Sequence, residues 1–402
     1  MFPTPRSFPM VCAALMAGSI AAPTQAQTPE PILIRAEKAW LEPGKSLDRA
    51  RFTIRGDEIS EVAQYAADSK AGPTEITGAV LTAGFIDLHN TLGPSAQLSE
   101  RVESFTPELR ADKAYDPFDA LWKRVLAQGV TSLVYAPNNA SIAGGQAILL
   151  RPGLRPKKGS PAIYLKFSLT RAAQSSYKRP TSLVGALDYL RENYRNLRSR
   201  TPRQLDAGEL ALAGTVGGNT SVGIACNRAA EILAALEISE EENLDSFLIL
   251  GDESSSWDPR ILDDVLPDLA KVNKRLLLPA LDMRSSKRAQ ELPSRLAKLG
   301  IPFAFSAAND RKISINPAQW TMAMAMRSGL TADQALAALT TTPAAWCGIE
   351  ENAGSLYKGR QADLCLWSGE PWDLRSRLLV VVRAGKVVLD ARSKNATMEA
   401  RR

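Results

Sequence analysis

The chain holds one histidine, His89, and four cysteines, Cys12, Cys226, Cys347 and Cys365. Structural zinc takes about four Cys/His ligands and catalytic zinc about three protein ligands. The cysteines stand far apart with no Cys-x-x-Cys pair, so a zinc finger and a base built on several imidazoles are both excluded. A Ser-His-Asp triad would have to use His89, and no Gly-x-Ser-x-Gly elbow presents a serine. Ser221, in Asn219-Thr220-Ser221-Val222-Gly223, lacks the first glycine. A thiol pair of Cys226 with His89 is the other nucleophilic arrangement these residue types allow. Neither Gly-x-Gly-x-x-Gly nor a P-loop follows any strand-like run, so a nucleotide-phosphate cradle is not indicated.

Elements must position whatever chemistry remains. With 402 residues, 45% hydrophobic and 23% charged, the chain has the balance of a packed soluble protein, and disorder, collagen and coiled coil are ruled out. Both ends read as short strands. Ala50–Ile54 and Glu58–Val62 flank a Gly56-Asp57 turn, and Leu378–Arg383 and Val387–Leu389 flank Gly385-Lys386. Neither end has enough strands for a sheet pair of its own, which predicts one small β-sandwich assembled from both termini.

The middle alternates apolar strands with amphipathic helices. Asp116 is placed to cap a helix with Pro117 at its first position, Phe118, Leu121, Trp122, Val125 and Leu126 on one face, and Gly129 at its end. Strand-helix units recur at 131–136, 220–236, 246–250, 275–299 and 303–340. The expected class is α/β, a (β/α)8 TIM-type barrel of parallel strands flanked by the composite β-sandwich, with a doubly wound sheet as the alternative. The expected divisions are a signal peptide at 1–26, sandwich strands at 27–82, the barrel at 83–348, more sandwich strands at 349–392, and a flexible tail at 393–402.

Two stretches resemble the amidohydrolase superfamily. Leu81-Thr82-Ala83-Gly84-Phe85-Ile86-Asp87-Leu88-His89-Asn90-Thr91 is similar to its first-strand motif, Pro-Gly-Phe-Ile-Asp-x-His-x-His. Thr331–Leu336, Thr342-Pro343-Ala344, Gly354-Ser355-Leu356 and Lys358–Leu364 resemble its C-terminal block. The middle resembles imidazolonepropionase-like exported members through Gln128-Gly129-Val130-Thr131, Gly144-Gly145-Gln146-Ala147 and Lys178-Arg179-Pro180-Thr181 before Arg191-Glu192.

The resemblance implies one or two divalent metals that convert water to hydroxide and polarise a C–N or ester-type carbonyl. His89 takes the first histidine place and Thr91 the second. The strand-five and strand-six regions, around Cys226-Asn227 and Gly251-Asp252-Glu253, offer no histidine. Alignment puts Ala308 at the strand-eight Asp place, with Asp310 two residues late as the candidate catalytic residue. Lys166, near strand four, resembles in position the carbamylated lysine of some two-metal relatives; its ordinary reading is a lysine lining the barrel mouth or paired with an acid.

The expected ligand-binding pocket comprises His89, Thr91, Lys166, Cys226, Asn227 and Asp252, without a tightly bound catalytic metal. The alternatives are one weakly held divalent ion, or a carboxylate site remade from Asp252, Glu253, Asp282 and Asp310. The resulting expectation is a metal-free binding or structural pseudoenzyme. A hydrolase of cyclic-amide C–N bonds with a rebuilt site is the alternative.

Arg6, the apolar run 10–22 and Ala22-Pro23-Thr24-Gln25-Ala26 read as a cleaved secretory signal, which predicts periplasmic or extracellular export. Cleavage would leave three cysteines, expected as buried thiols rather than disulfides. No later run is long enough to span a bilayer. The net charge of +6 is spread out, and its densest segment, Arg191, Arg195, Arg198, Arg200 and Arg203, reads as a solvated helix face rather than a nucleic-acid surface. A small-molecule ligand is expected, with a homo-oligomer or an active homologue as conceivable partners.

Overall fold

The structure, a computed structural model, describes residues 30–93, 98, 100–175, 177–251, 258–307 and 316–392. The signal-like segment, including Arg6 and Cys12, and residues Asp252, Glu253, Ala308 and Asp310 lie outside the described residues.

The chain enters through β1 (Ile32–Glu42), β2 (Lys45–Arg55), β3 (Glu58–Gln64) and β4 (Ile76–Ala83). The barrel strands follow: β5 (Phe85–Asn90), β6 (Val130–Tyr135), β7 (Ala143–Leu150), β8 (Ala162–Ser168), β9 (Ser221–Cys226), β10 (Ser246–Leu250), β11 (Arg275–Leu278) and β12 (Phe303–Phe305). The chain returns to the first sheet with β13 (Leu364–Trp367), β14 (Leu378–Arg383) and β15 (Lys386–Asp390). That sheet has the order β15-β14-β13-β4-β1-β2-β3, with strands from both ends of the chain.

Its two faces follow from side chains alternating along a strand. Leu364, Leu366, Val380, Val382 and Leu81 pack with Ile34, Phe52 and Ile54 in the sheet's own core. Their neighbours Cys365, Trp367, Val381 and Val80 join the large core around the barrel. Asp363 ties the two parts together: Arg151, just after β7, donates to its carboxylate at 2.9 Å, and its carbonyl accepts from Gly84 N at 2.9 Å.

The eight-stranded sheet runs β5 through β12 in sequence order and nearly closes. At the seam, Ile86 N donates to Leu339 O at 3.0 Å and Phe305 N to Ala338 O at 3.1 Å. The chain after helix Ala332–Ala337 thus occupies the two backbone edges that an open sheet would expose. Leu88, Val134, Ala147, Tyr164, Ala225, Phe247, Ile249, Leu277 and Ala304 fill the interior. Val222, Ile224, Cys226, Leu248, Leu250, Leu276 and Leu278, one position out of step, face the helix layer.

Two expectations need correction. The barrel strands are not all parallel, because β7 runs antiparallel to both β6 and β8. The helix expected from Pro117 begins at Leu121 instead. Asp116 and Asp119 accept from Phe118 N and Leu121 N two residues on, at 2.9 and 2.8 Å. These local turns compete with the helix, and Phe118 is left 77% exposed.

Candidate functional site

His89 sits near the C-terminal end of β5 and is 6% exposed. Its Nδ1 lies 2.7 Å from Tyr164 Oη, the two rings being tilted with centroids 6.4 Å apart. Tyr164 projects from β8 into the barrel interior and packs edge-on against Phe247, centroids 5.1 Å apart. Gly223 on β9 permits this: a Cβ there would stand 2.8 Å from the Tyr164 ring and 2.9 Å from Phe247. Two positions after Tyr164, and therefore on the same face of β8, Lys166 is fully buried and its Nζ donates to Asn139 Oδ1.

Asp87, two positions before His89, is wholly buried. Its carboxylate accepts from Asn90 Nδ2 at 2.8 Å and from Ala307 N, just past β12, at 3.1 Å. It therefore links the first and last barrel strands at the end that bears His89. Burial pushes its carboxyl up to about 6, against the opposing pull of those two hydrogen bonds and of His89.

The structure separates the other sequence-predicted residues. Asn227 stays at the strand end, where its Oδ1 accepts from Gly251 N at 3.0 Å and joins the exits of β9 and β10. Thr91 follows β5 and is half-buried. Cys226 does not join the pocket. It faces the helix layer, its thiol lies 3.5 Å from Glu231 O, and burial pushes its pKa well up. The small residues Gly223 and Ala225 mark the inward parity of β9, which puts Cys226 outward; that signal was present in the sequence. Asp282 accepts from Arg284 N at 2.9 Å in a turn before helix Lys287–Lys298. Asp252, Glu253 and Asp310 fall outside the described residues.

Sequence reasoning missed Asp87, Tyr164 and Asn139. Tyr164 could have been found by counting two residues back from Lys166. Asp87 stands inside the first-strand motif itself.

Among the described residues, the donors present do not fit the metal that the resemblance implies. The one imidazole directs Nδ1 at a tyrosine, the candidate thiol points away, and the buried amine is held by an amide oxygen. Among the described residues, no group of three or more His, Cys, Asp or Glu side chains could hold an ion.

The family model described as "Amidohydrolase family" matches residues 261–398. A crystal structure of an amidohydrolase from Thermotoga maritima MSB8 superposes with a TM-score of 0.75 at 22% identity, covering 89% of this chain and all of that one. An imidazolonepropionase of Shewanella sp. (strain MR-4) is 60% identical over 38 residues, 10% of this chain and 9% of that protein. Residues 261–398 thus match the amidohydrolase family, and the chain has the fold of that amidohydrolase structure. The amidohydrolase tasK of Hapsidospora irregularis is 23% identical over 417 residues, which cover 85% of this chain and 41% of that protein. The chain thus spans less than half the length of the curated relatives it matches.

Proposed function

We propose that this chain is an exported, catalytically degenerate amidohydrolase relative that binds a small molecule at the mouth of its barrel without a tightly held metal. The observation that carries the reading is that the sequence has a single histidine, His89, where a catalytic zinc takes about three protein ligands. The outward turn of Cys226 and the seating of Lys166 on Asn139 support it. With one imidazole, a first-row ion would depend on hard oxygen donors, which favour weakly held, hydrated ions.

Elemental analysis of protein purified without chelator tests this reading. Substoichiometric zinc, nickel, iron and manganese are expected, and one equivalent of any of them would overturn it. Export is tested by N-terminal sequencing of the protein from the secreted or periplasmic fraction, which should begin at Gln27.

A second reading, hydrolysis of cyclic-amide C–N bonds by a rebuilt site, is favoured by Asp87, a carboxyl held near neutrality beside His89. It requires turnover on a cyclic amide, lactone or imidazolone library that His89→Ala and Asp310→Ala both abolish. If no turnover is found while ligand binding is retained in both variants, the binding reading stands.

A further inference from the structure

At the opposite end of the barrel, Lys274 immediately precedes β11. The alternation that turns Leu276 and Leu278 outward carries its side chain into the layer between the barrel and helix Ala229–Glu241. Lys274 is only 8% exposed, and its Nζ donates to Ser246 Oγ. Ser246 Oγ lies 2.7 Å from Ser239 Oγ, and the Ser239 hydroxyl donates to Ala235 O at 2.5 Å. That last bond uses the Ser239 proton, so Ser246 must donate to Ser239 and keep its own oxygen to accept from Lys274. The chain of donors runs one way, from amine to backbone carbonyl.

Among the described residues no carboxylate pairs with Lys274. Asp245, beside Ser246 in the chain, is held by Arg275 and Ser221, each at 2.5 Å. An ammonium buried against a hydroxyl alone is poorly compensated for its lost hydration. Burial accordingly brings the amine down to about 8, helped by Arg275 and opposed by Asp245 and the Cys226 thiol. At pH 7.5 about a quarter is then the free base. One N–H stays on Ser246 and the lone pair is left for another partner. Lys274 and Ser246 line a groove of about 460 Å³ together with Asn273, Arg275, Pro302 and Trp346.

We infer that Lys274 is a nucleophilic amine that captures small aldehydes entering this groove as imines. The amine nitrogen adds to the carbonyl carbon, and the carbonyl oxygen takes one amine proton to give a carbinolamine. Loss of that hydroxyl with the second amine proton, as water, leaves the C=N bond. This site is independent of the barrel mouth and of whether the mouth binds or hydrolyses anything.

The test is competitive reductive alkylation of the full-length protein with limiting acetaldehyde and cyanoborohydride at pH 7.5, read by peptide mass spectrometry. The neutral fraction of Lys274 is about two orders of magnitude above that of an ordinary lysine. Native Lys274 is therefore expected to be alkylated at least about tenfold faster than exposed Lys45 and Lys287. Ser246→Ala removes the acceptor of the charged form and should move the labelling midpoint to lower pH, and Lys274→Arg should remove the fast adduct. If native Lys274 labels no faster than Lys45 and Lys287, the inference fails, and because this comparison uses the unmodified chain, misfolding of a variant cannot obscure it.

Discussion

Asp87 is the residue whose environment most constrains the candidate site. Desolvation favours its neutral form, while the Asn90 amide and the Ala307 N–H favour the anion, and desolvation prevails. The folded carboxyl titrates near 6 against an ordinary 3.8, so between these values the native state holds a proton that the unfolded chain has released. Its contribution is therefore best at low pH and declines as pH rises from about 4 to about 6, by about 3 kcal/mol over the whole interval. Asp87→Asn abolishes this titration. Relative to the variant, the unaltered protein should lose stability across that interval in urea denaturation, and parallel pH profiles would contradict the assignment. His89 was readable because it is the sole imidazole of a motif. The positions of Asp87 and Tyr164 were legible from the motif and from the parity of Lys166, but their partners were not, because Ala307 and His89 come from distant parts of the chain.

Among the elements, hairpins and strand-helix units were the most legible. The Gly56-Asp57 turn and the strand Ser246–Leu250 lie where alternation and turn residues put them. The direction of β7 was not legible, because a run of apolar residues with two glycines looks the same in either orientation. Direction is set instead by pairing with β6 and β8 on both sides. The β14–β15 hairpin shows how much turn chemistry still leaves to be gained. Ala384 and Gly385 form its two-residue link with φ of 48° and 69°, the positive pair typical of a type I′ turn. Gly385 is obligatory there, since a Cβ would come within 1.7 Å of the Gly56 carbonyl oxygen in the other hairpin turn. Ala384 has no such excuse for a left-handed backbone, which an L-alanine adopts at a cost of about 1 kcal/mol. Ala384→Asn should therefore stabilise the protein by about 0.5–1 kcal/mol, seen as a higher urea midpoint with unchanged slope. The Ala384 N–H to Asp363 Oδ1 bond, 2.6 Å, is a backbone donor and survives the substitution. A lower midpoint would show that Asn meets an obstacle at this turn.

At the scale of the whole molecule, the first sheet needs both ends of the chain, and the barrel needs the residues after helix Ala332–Ala337 to seal its seam. The three cysteines among the described residues are distributed through this common core. Cys226, Cys347 and Cys365 are free thiols and all buried. Burial pushes Cys347 up to about 12 and raises Cys226 and Cys365 as well, so little thiolate exists at neutral pH and reagents cannot reach what there is. Thiol titration with an aromatic disulfide should therefore find none of these three in the native protein, and reductant should leave the melting temperature unchanged. After denaturation the count becomes diagnostic of processing. The full sequence has four cysteines, and Cys12 alone lies in the segment expected to be removed after Ala26. Exported protein should titrate three thiols in denaturant, whereas a chain that kept its N-terminus would titrate four. A count below three in either preparation would mean that the buried thiols pair, and would contradict the separate seats they occupy in β9, just past helix Thr341–Trp346, and in β13.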